Sequence, residues 1–202
     1  MRSLEDERLD FVYGTEESYG HLIETEARDK DGISAAALTA EMALYWRSKG
    51  RSLLDRLDEL YIKHGYYEEK GVNRYFEGAS GMEVMADIMA GYRASHPTTF
   101  GGIPVVRIRD VKSRREWQPG AEKAATKLDL PSSDVLQWWL SDGTVVTVRP
   151  SGTEPKIKYY ILSRTDIGME GLAGARKEST AKNQAIISEI KATLEKAAVG
   201  RP

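Results

Sequence analysis

Residues 135–162 read VLQWWLSDGTVVTVRPSGTEPKIKYYIL, and the fold turns on how this run divides. Val135 to Leu140 and Thr144 to Arg149 are rich in branched and aromatic residues and flank Ser141-Asp142-Gly143, a tight-turn composition, so they predict a β-hairpin. Lys156 to Leu162 predicts a further strand beyond the polar loop RPSGTEPK, Arg149 to Lys156. Trp138 and Trp139 fall on opposite faces of one strand, which sends one ring into a core and leaves the other for a surface or an interface.

Upstream of the hairpin, Ile103 to Arg109 alternates as a strand. Ser80 and Glu83 have capping-box spacing, and Met82, Met85, Ile88, Met89 and Tyr92 share one face of the helix they would open, which ends before His96-Pro97. Tyr66, Tyr67, Tyr75 and Phe76 suit strands and bracket the polar EEKGVN. Between Asp110 and Asp134 a polar connection carries KSRR at 112–115 and two prolines, and reads as a mobile loop or surface excursion. Downstream, Ala181, Ala185, Ile186, Ile190, Leu194 and Ala197 keep helical register within roughly Ala175 to Ala198. The order strand, helix, three strands, helix predicts an α+β domain, a mostly antiparallel sheet with helices on one face.

The N-terminal part has a different pattern. Asp10 to Tyr13 predicts a short strand before the loop TEESYGH, Thr15 to His21. From Asp31 to Lys49 the apolar content is nearly continuous, which predicts a helix buried on most sides and capped by Gly50 in the left-handed conformation. Ser52 and Asp55 open a second helix with Leu53, Leu54, Leu57, Leu60 and Tyr61 at three-and-four spacing, closed by His64-Gly65. A seam near residue 65 divides the chain into 1–64 and 65–202. One strand and two helices are too few for an independent core, so 1–64 is expected to be the end of an α/β domain whose remainder lies upstream.

In 202 residues, 41% are apolar and 30% charged, an ordinary globular composition. The charged start MRSLEDERLD lacks the apolar core of a signal peptide, and no window offers about 18 apolar residues to cross a membrane. A net charge of −2 gives no global field for nucleic acid or anionic lipid. The absence of cysteine excludes disulfides, a thiolate nucleophile and sulfur-based zinc sites, so cytoplasm is the expected location.

Three segments could carry chemistry. In RPSGTEPK, Arg149 offers a planar fork for two phosphate oxygens, Ser151 and Thr153 offer hydroxyls, and Gly152 lets the backbone turn its N–H groups inward, while Pro150 and Pro155 stiffen the ends. The loop is either an anion cradle or a tight turn that satisfies its own backbone. In TEESYGH, Glu16 and Glu17 could accept from vicinal sugar hydroxyls with Ser18 as a partner, or form an exposed acidic loop. In RDKDG, Arg28 to Gly32, the ligand spacing of a calcium loop is absent, so Asp31 is a helix cap and Lys30 is either solvated or aimed at an anion. His64 and His96 read as structural and His21 stays open, with no ligand spacing among the three.

EESYG, RDKDG before a buried helix, LLDRLDELYIKHGYY and RPSGTEPKIKYY, in this order, resemble the C-terminal third of the α-D-phosphohexomutase family, in its phosphoglucomutase/phosphomannomutase and phosphopentomutase-like branch. The resemblance implies a TATA-binding-protein-like last domain and an enzyme that interconverts 1-phospho and 6-phospho sugars such as glucose 1-phosphate and glucose 6-phosphate. It implies that a phosphoserine and Mg2+ in other domains act through a sugar bisphosphate intermediate. It implies further that Glu16 and Ser18 bind sugar hydroxyls, that Arg149, Ser151, Gly152 and Thr153 hold the phosphate that is not reacting, and that Lys30 acts near the transferred proton or charge. Nothing resembling the family's catalytic-serine segment or metal loop occurs in these residues. The expectation is therefore a part that is inactive alone and partnered by the missing N-terminal domains, with no metal ligands of its own. The other expectation is a free-standing phosphosugar-binding module.

Overall fold

A computed structural model describes residues 10–16, 20–25, 29–76 and 80–199. The chain divides into two compact units, residues 1–60 and 61–202.

In the first unit, β1 (Gly14–Thr15) pairs antiparallel with β2 (His21–Leu22). The reversal between them is closed by the Glu16 N–H donating to the Gly20 carbonyl at 2.8 Å. The strand expected over Asp10 to Tyr13 is therefore displaced, because only Gly14 and Thr15 find partners across this reversal. α1 (Gly32–Ser48) opens on Asp31, whose carboxylate accepts from the Ile33 and Ser34 N–H groups at 2.9 and 3.1 Å. It closes with Gly50 at φ +74 and with the Gly50 and Arg51 N–H groups donating to Arg47 and Trp46, the double bond of a left-handed cap. α2 (Leu53–His64) carries the expected capping box, with Asp55 accepting from the Ser52 N–H at 2.7 Å and Ser52 Oγ accepting from the Asp55 N–H at 3.1 Å.

The expectation that α1 is buried on most sides fails. None of its residues is buried, and Ile33 and Leu44 are 84% and 71% exposed. Its apolar side chains need an opposing layer, and the two short strands and α2 do not supply one.

In the second unit β3 (Tyr66–Tyr75), β5 (Ile103–Asp110), β6 (Arg115–Trp117), β7 (Thr126–Lys127), β8 (Leu136–Leu140), β9 (Val145–Pro150) and β10 (Lys156–Thr165) form one antiparallel sheet in the order β3-β10-β9-β8-β5-β6-β7, with β4 (Thr99–Phe100) pairing β5 at its end. β3 (Tyr66–Tyr75) is an edge strand that pairs along its whole length with β10 (Lys156–Thr165). β8 (Leu136–Leu140) and β9 (Val145–Pro150) form the expected hairpin, and Gly143 turns it at φ +86. β5 (Ile103–Asp110) follows α3 (Gly81–Ala94), and α4 (Gly171–Val199) ends the described chain.

Alternation along β10 decides which face is covered. Ile157, Tyr159 and Ile161 are fully buried in one core with Met85, Met89 and Tyr92 of α3 and Ile186, Ile190 and Leu194 of α4. Lys156, Lys158, Tyr160, Leu162 and Arg164 point the other way, half-buried or exposed. Trp138 is the fully buried member of its pair, while Trp139 lies on the open face beneath Arg107 and Arg109 at 4.0 and 4.7 Å from its ring centroid.

Three local expectations are corrected. The connection between 110 and 134 is not an excursion: it holds β6 (Arg115–Trp117), a 3-10 turn at Glu122–Ala124 and β7 (Thr126–Lys127), and Trp117 enters the core. Backbone hydrogen bonding to β5, which polar composition does not advertise, recruits it to the sheet. Ser80 forms no side-chain cap, because it is itself helical at φ −82, ψ −5 and the Val84 N–H already bonds its carbonyl. Met82 is 46% exposed, while Val84 joins the expected Met85, Ile88, Met89 and Tyr92 on the buried face.

Candidate functional site

The first group of site residues lies at the start of the first unit. The Asp31 N–H donates to the His21 carbonyl at 2.9 Å, which ties the residue before α1 to β2 and brings Lys30 back over the 16–20 reversal. Lys30 Nζ donates to Glu16 Oε2 at 3.0 Å, with the two side chains 51% and 49% exposed. Gly20 makes this crossing possible: a Cβ there would lie 2.1 Å from Lys30 Cδ and 3.2 Å from Glu16 Oε2. Beside the pair, His21 Nδ1 shares hydrogen bonds with Tyr13 Oη at 2.5 Å and Thr15 Oγ1 at 3.3 Å. Two expected residues, Glu16 and Lys30, are thus brought together, and the third, Ser18, lies outside the described residues.

A carboxylate held by an ammonium at a half-exposed surface is an oriented acceptor for hydroxyl groups. The hydrogen bonds of Ser34 and of the Ile33 and Ser34 N–H groups hold the Asp31 carboxyl below its ordinary pKa, which fits a cap and not a proton carrier.

The second group is the loop between β9 and β10. Its neck is closed by the Ser151 N–H donating to the Lys156 carbonyl at 2.8 Å. The N–H groups of Thr153 and Glu154 converge on Ser151 Oγ at 3.4 and 3.3 Å, long bonds that an anion can replace. Arg149, Gly152 and Thr153 are exposed and Ser151 is half-buried. A Cβ on Gly152 would meet nothing within 4 Å, and its φ is not left-handed, so protein packing does not demand this glycine. It leaves open room for a ligand to approach the backbone. On the far side the loop is braced: the Phe76 N–H donates to the Pro155 carbonyl at 2.8 Å, and Gly81 lies too close to Phe76 O and Pro155 Cβ to carry a side chain.

Two residues near this loop escaped the sequence reading. Lys158 stands opposite Arg149 in the β9–β10 register and shares its open face, which the KIK alternation could have indicated. Tyr75 accepts a hydrogen bond from Lys156 Nζ at 2.7 Å. The two are 81 positions apart, so only the β3–β10 pairing brings them together. The histidines expected to be structural include His96, which packs edge-on against Trp117 and Trp138, with burial lowering its pKa.

Among the described residues no group of three or more His, Asp or Glu side chains converges as a metal donor set. No helix among them is long and apolar enough to cross a membrane.

Residues 1–64 match the phosphoglucomutase/phosphomannomutase alpha/beta/alpha domain III family. The phosphoglucomutase of Staphylococcus epidermidis is 33% identical over 161 residues, covering 80% of this chain and 29% of that protein. A Staphylococcus haemolyticus phosphoglucomutase is 30% identical over 167 residues, with coverages of 82% and 30%, and one from Staphylococcus aureus MRSA252 is 32% identical over 161 residues. The chain thus spans under a third of the length of these relatives. In fold, it is similar to the open form of the exocytosis-sensitive phosphoprotein pp63/parafusin of Paramecium, with a TM-score of 0.57 at 16% identity, over 97% of this chain and 31% of that one. The sequence similarities support the phosphohexomutase family, and within it the C-terminal region, as what this chain resembles.

Proposed function

We propose that this chain is the substrate-holding part of a phosphoglucomutase-type enzyme that interconverts 1-phospho and 6-phospho sugars, and that it does not move the phosphoryl group alone. Residues 1–64 are the end of the family's third domain and 65–202 its last domain. Glu16, steadied by Lys30, accepts hydrogen bonds from sugar hydroxyls together with Ser18. Arg149, Ser151, Gly152 and Thr153 hold the phosphate that is not reacting. The substrate is a hexose phosphate such as glucose 1-phosphate, the further partner is the remainder of the enzyme, and the setting is the cytoplasm.

The observation that carries this reading is the loop 149–156, in which an exposed arginine near the end of β9 precedes a hydroxyl with two converging N–H groups and an open glycine, on a braced hairpin. Charge-assisted hydrogen bonds contribute roughly 1.5–3 kcal/mol each, so three of them hold a phosphomonoester with useful affinity. Fixing one phosphate restricts the sugar and lowers the barrier at the other end by positioning. The Lys30 Nζ contact with Glu16 at 3.0 Å supports a role for Lys30 near the transferred proton or charge. Magnesium belongs, by resemblance, to the complete enzyme. The described residues offer it no donor set, so no step here runs through it.

Calorimetric titration of the chain with glucose 1-phosphate tests the loop. The reading expects Arg149→Ala to weaken binding by at least tenfold at unchanged thermal stability. Equal binding by both proteins would remove the phosphate assignment.

A further inference from the structure

We propose that Lys156 is an additional contact to the phosphosugar's phosphate, beyond Arg149, Ser151, Gly152 and Thr153, and that Tyr75 is the residue that positions it. This rests on the phosphate-loop reading above and extends it by one cation and its support.

The backbone of Lys156 forms half of the loop's neck: its N–H donates to the Glu154 carbonyl at 2.7 Å and its carbonyl accepts from Ser151 at 2.8 Å. Its side chain leaves on the open face, two residues from Lys158, which faces Arg149 in register. Three cationic side chains therefore border one side of the loop.

A lysine at such a place would ordinarily be a loose, solvated charge. Here Nζ donates to Tyr75 Oη at 2.7 Å and lies 4.6 Å from that ring's centroid. An ammonium carries three donors, and Tyr75 takes one, so two remain for phosphate oxygens. Restricting a long side chain in advance removes part of the ordering cost that binding would otherwise meet. The bond to Tyr75 also raises the lysine's pKa, which keeps it charged.

Tyr75 is itself well placed to act as a support. It ends β3 directly opposite Lys156, and the next residue, Phe76, is buried and bonded to Pro155 of the loop. Yet the Tyr75 ring is outside the core, with the residue 56% exposed. A surface contact of this kind contributes little to stability, so its position against the loop is better matched by a role in ligand capture.

The test is a titration of the 202-residue chain with glucose 1-phosphate, and with inorganic phosphate as the minimal probe. Lys156→Met is expected to weaken both by about tenfold, and Lys156→Arg to recover most of that loss. Tyr75→Phe is expected to weaken binding about threefold in the parent and to have no added effect in Lys156→Met, the non-additivity of a residue that works only through the lysine. A merely structural Tyr75 would lower affinity equally in both backgrounds, which would overturn its positioning role. Unchanged binding by Lys156→Met, with Arg149→Ala defective, would overturn the lysine contact and leave the loop reading standing. Unchanged binding by Arg149→Ala as well would remove the loop reading itself. Tyr75→Phe keeps the ring and the fold, so the pair remains testable even where Lys156→Met is unstable.

Discussion

Gly20 and Gly152 are both loop glycines, yet they matter for opposite reasons. At Gly20 a side chain would strike Lys30 and crowd Glu16, so Gly20→Ala is expected to break the Lys30–Glu16 ion pair and weaken sugar binding several-fold. The loss of an exposed ion pair is worth about 1 kcal/mol or less, so the melting temperature should barely move. At Gly152 the space is open, so Gly152→Ala should leave stability within about 0.5 kcal/mol of the parent and reduce phosphosugar affinity, because only a ligand would meet the new methyl. Isothermal titration beside a thermal melt separates the two quantities. The residue types at 149–153 suggested in sequence either an anion cradle or a self-satisfied turn, and the open space at 152 was not legible there. Composition cannot distinguish a glycine required by the backbone from one required by the ligand.

At the scale of elements, the hairpin β8–β9 and the strand β10 were readable because their patterning is strong and local. The strands β6 and β7 were not, because residues 111–134 are largely polar and join the sheet through backbone bonds of β6 to β5 and of β7 to β6. That segment is tied to α3 by a charged cluster. Arg93 donates to both oxygens of Asp110 at 3.2 Å and to Asp134 Oδ1 at 2.6 Å. Burial alone would raise the Asp110 pKa, but the hydrogen bonds and charge of Arg93, with help from Ser113 and the Lys112 N–H, outweigh it and hold it below the ordinary value of 3.8. A carboxyl depressed in the folded state contributes stability that is present above its unfolded pKa and is lost as pH falls through the lower folded value. Stability should therefore fall as pH drops below about 4, and Asp110→Asn should be less stable at neutral pH but lose less on acidification, as chemical denaturation at a series of pH values will show. Gly65, at φ +99 with Arg164 Nε 3.0 Å from its Cβ position, gives a second check between α2 and β3: Gly65→Ala should cost about 1–2 kcal/mol in the same assay.

For the whole molecule, the contrast lies between a second unit with one continuous core and a first unit whose main helix is uncovered. The apolar run of α1 announced a buried helix, while the short inventory of 1–64 announced too few elements to bury it, and among the described residues the second reading holds. Ile33, Met42, Leu44 and Tyr45 are all exposed, an apolar surface that soluble chains seldom leave bare. Sedimentation of the chain should show concentration-dependent self-association, which Ile33→Lys with Leu44→Lys should suppress without changing phosphate binding. The functional claim is likewise divided, since the proposed role of this chain is to hold sugar and phosphate and not to move the phosphoryl group alone. Phosphorus NMR of the 202-residue chain with glucose 1-phosphate tests this most directly. The account predicts a shifted and broadened phosphate resonance with no glucose 6-phosphate signal after prolonged incubation, whereas an unperturbed resonance, or the appearance of glucose 6-phosphate, would contradict it.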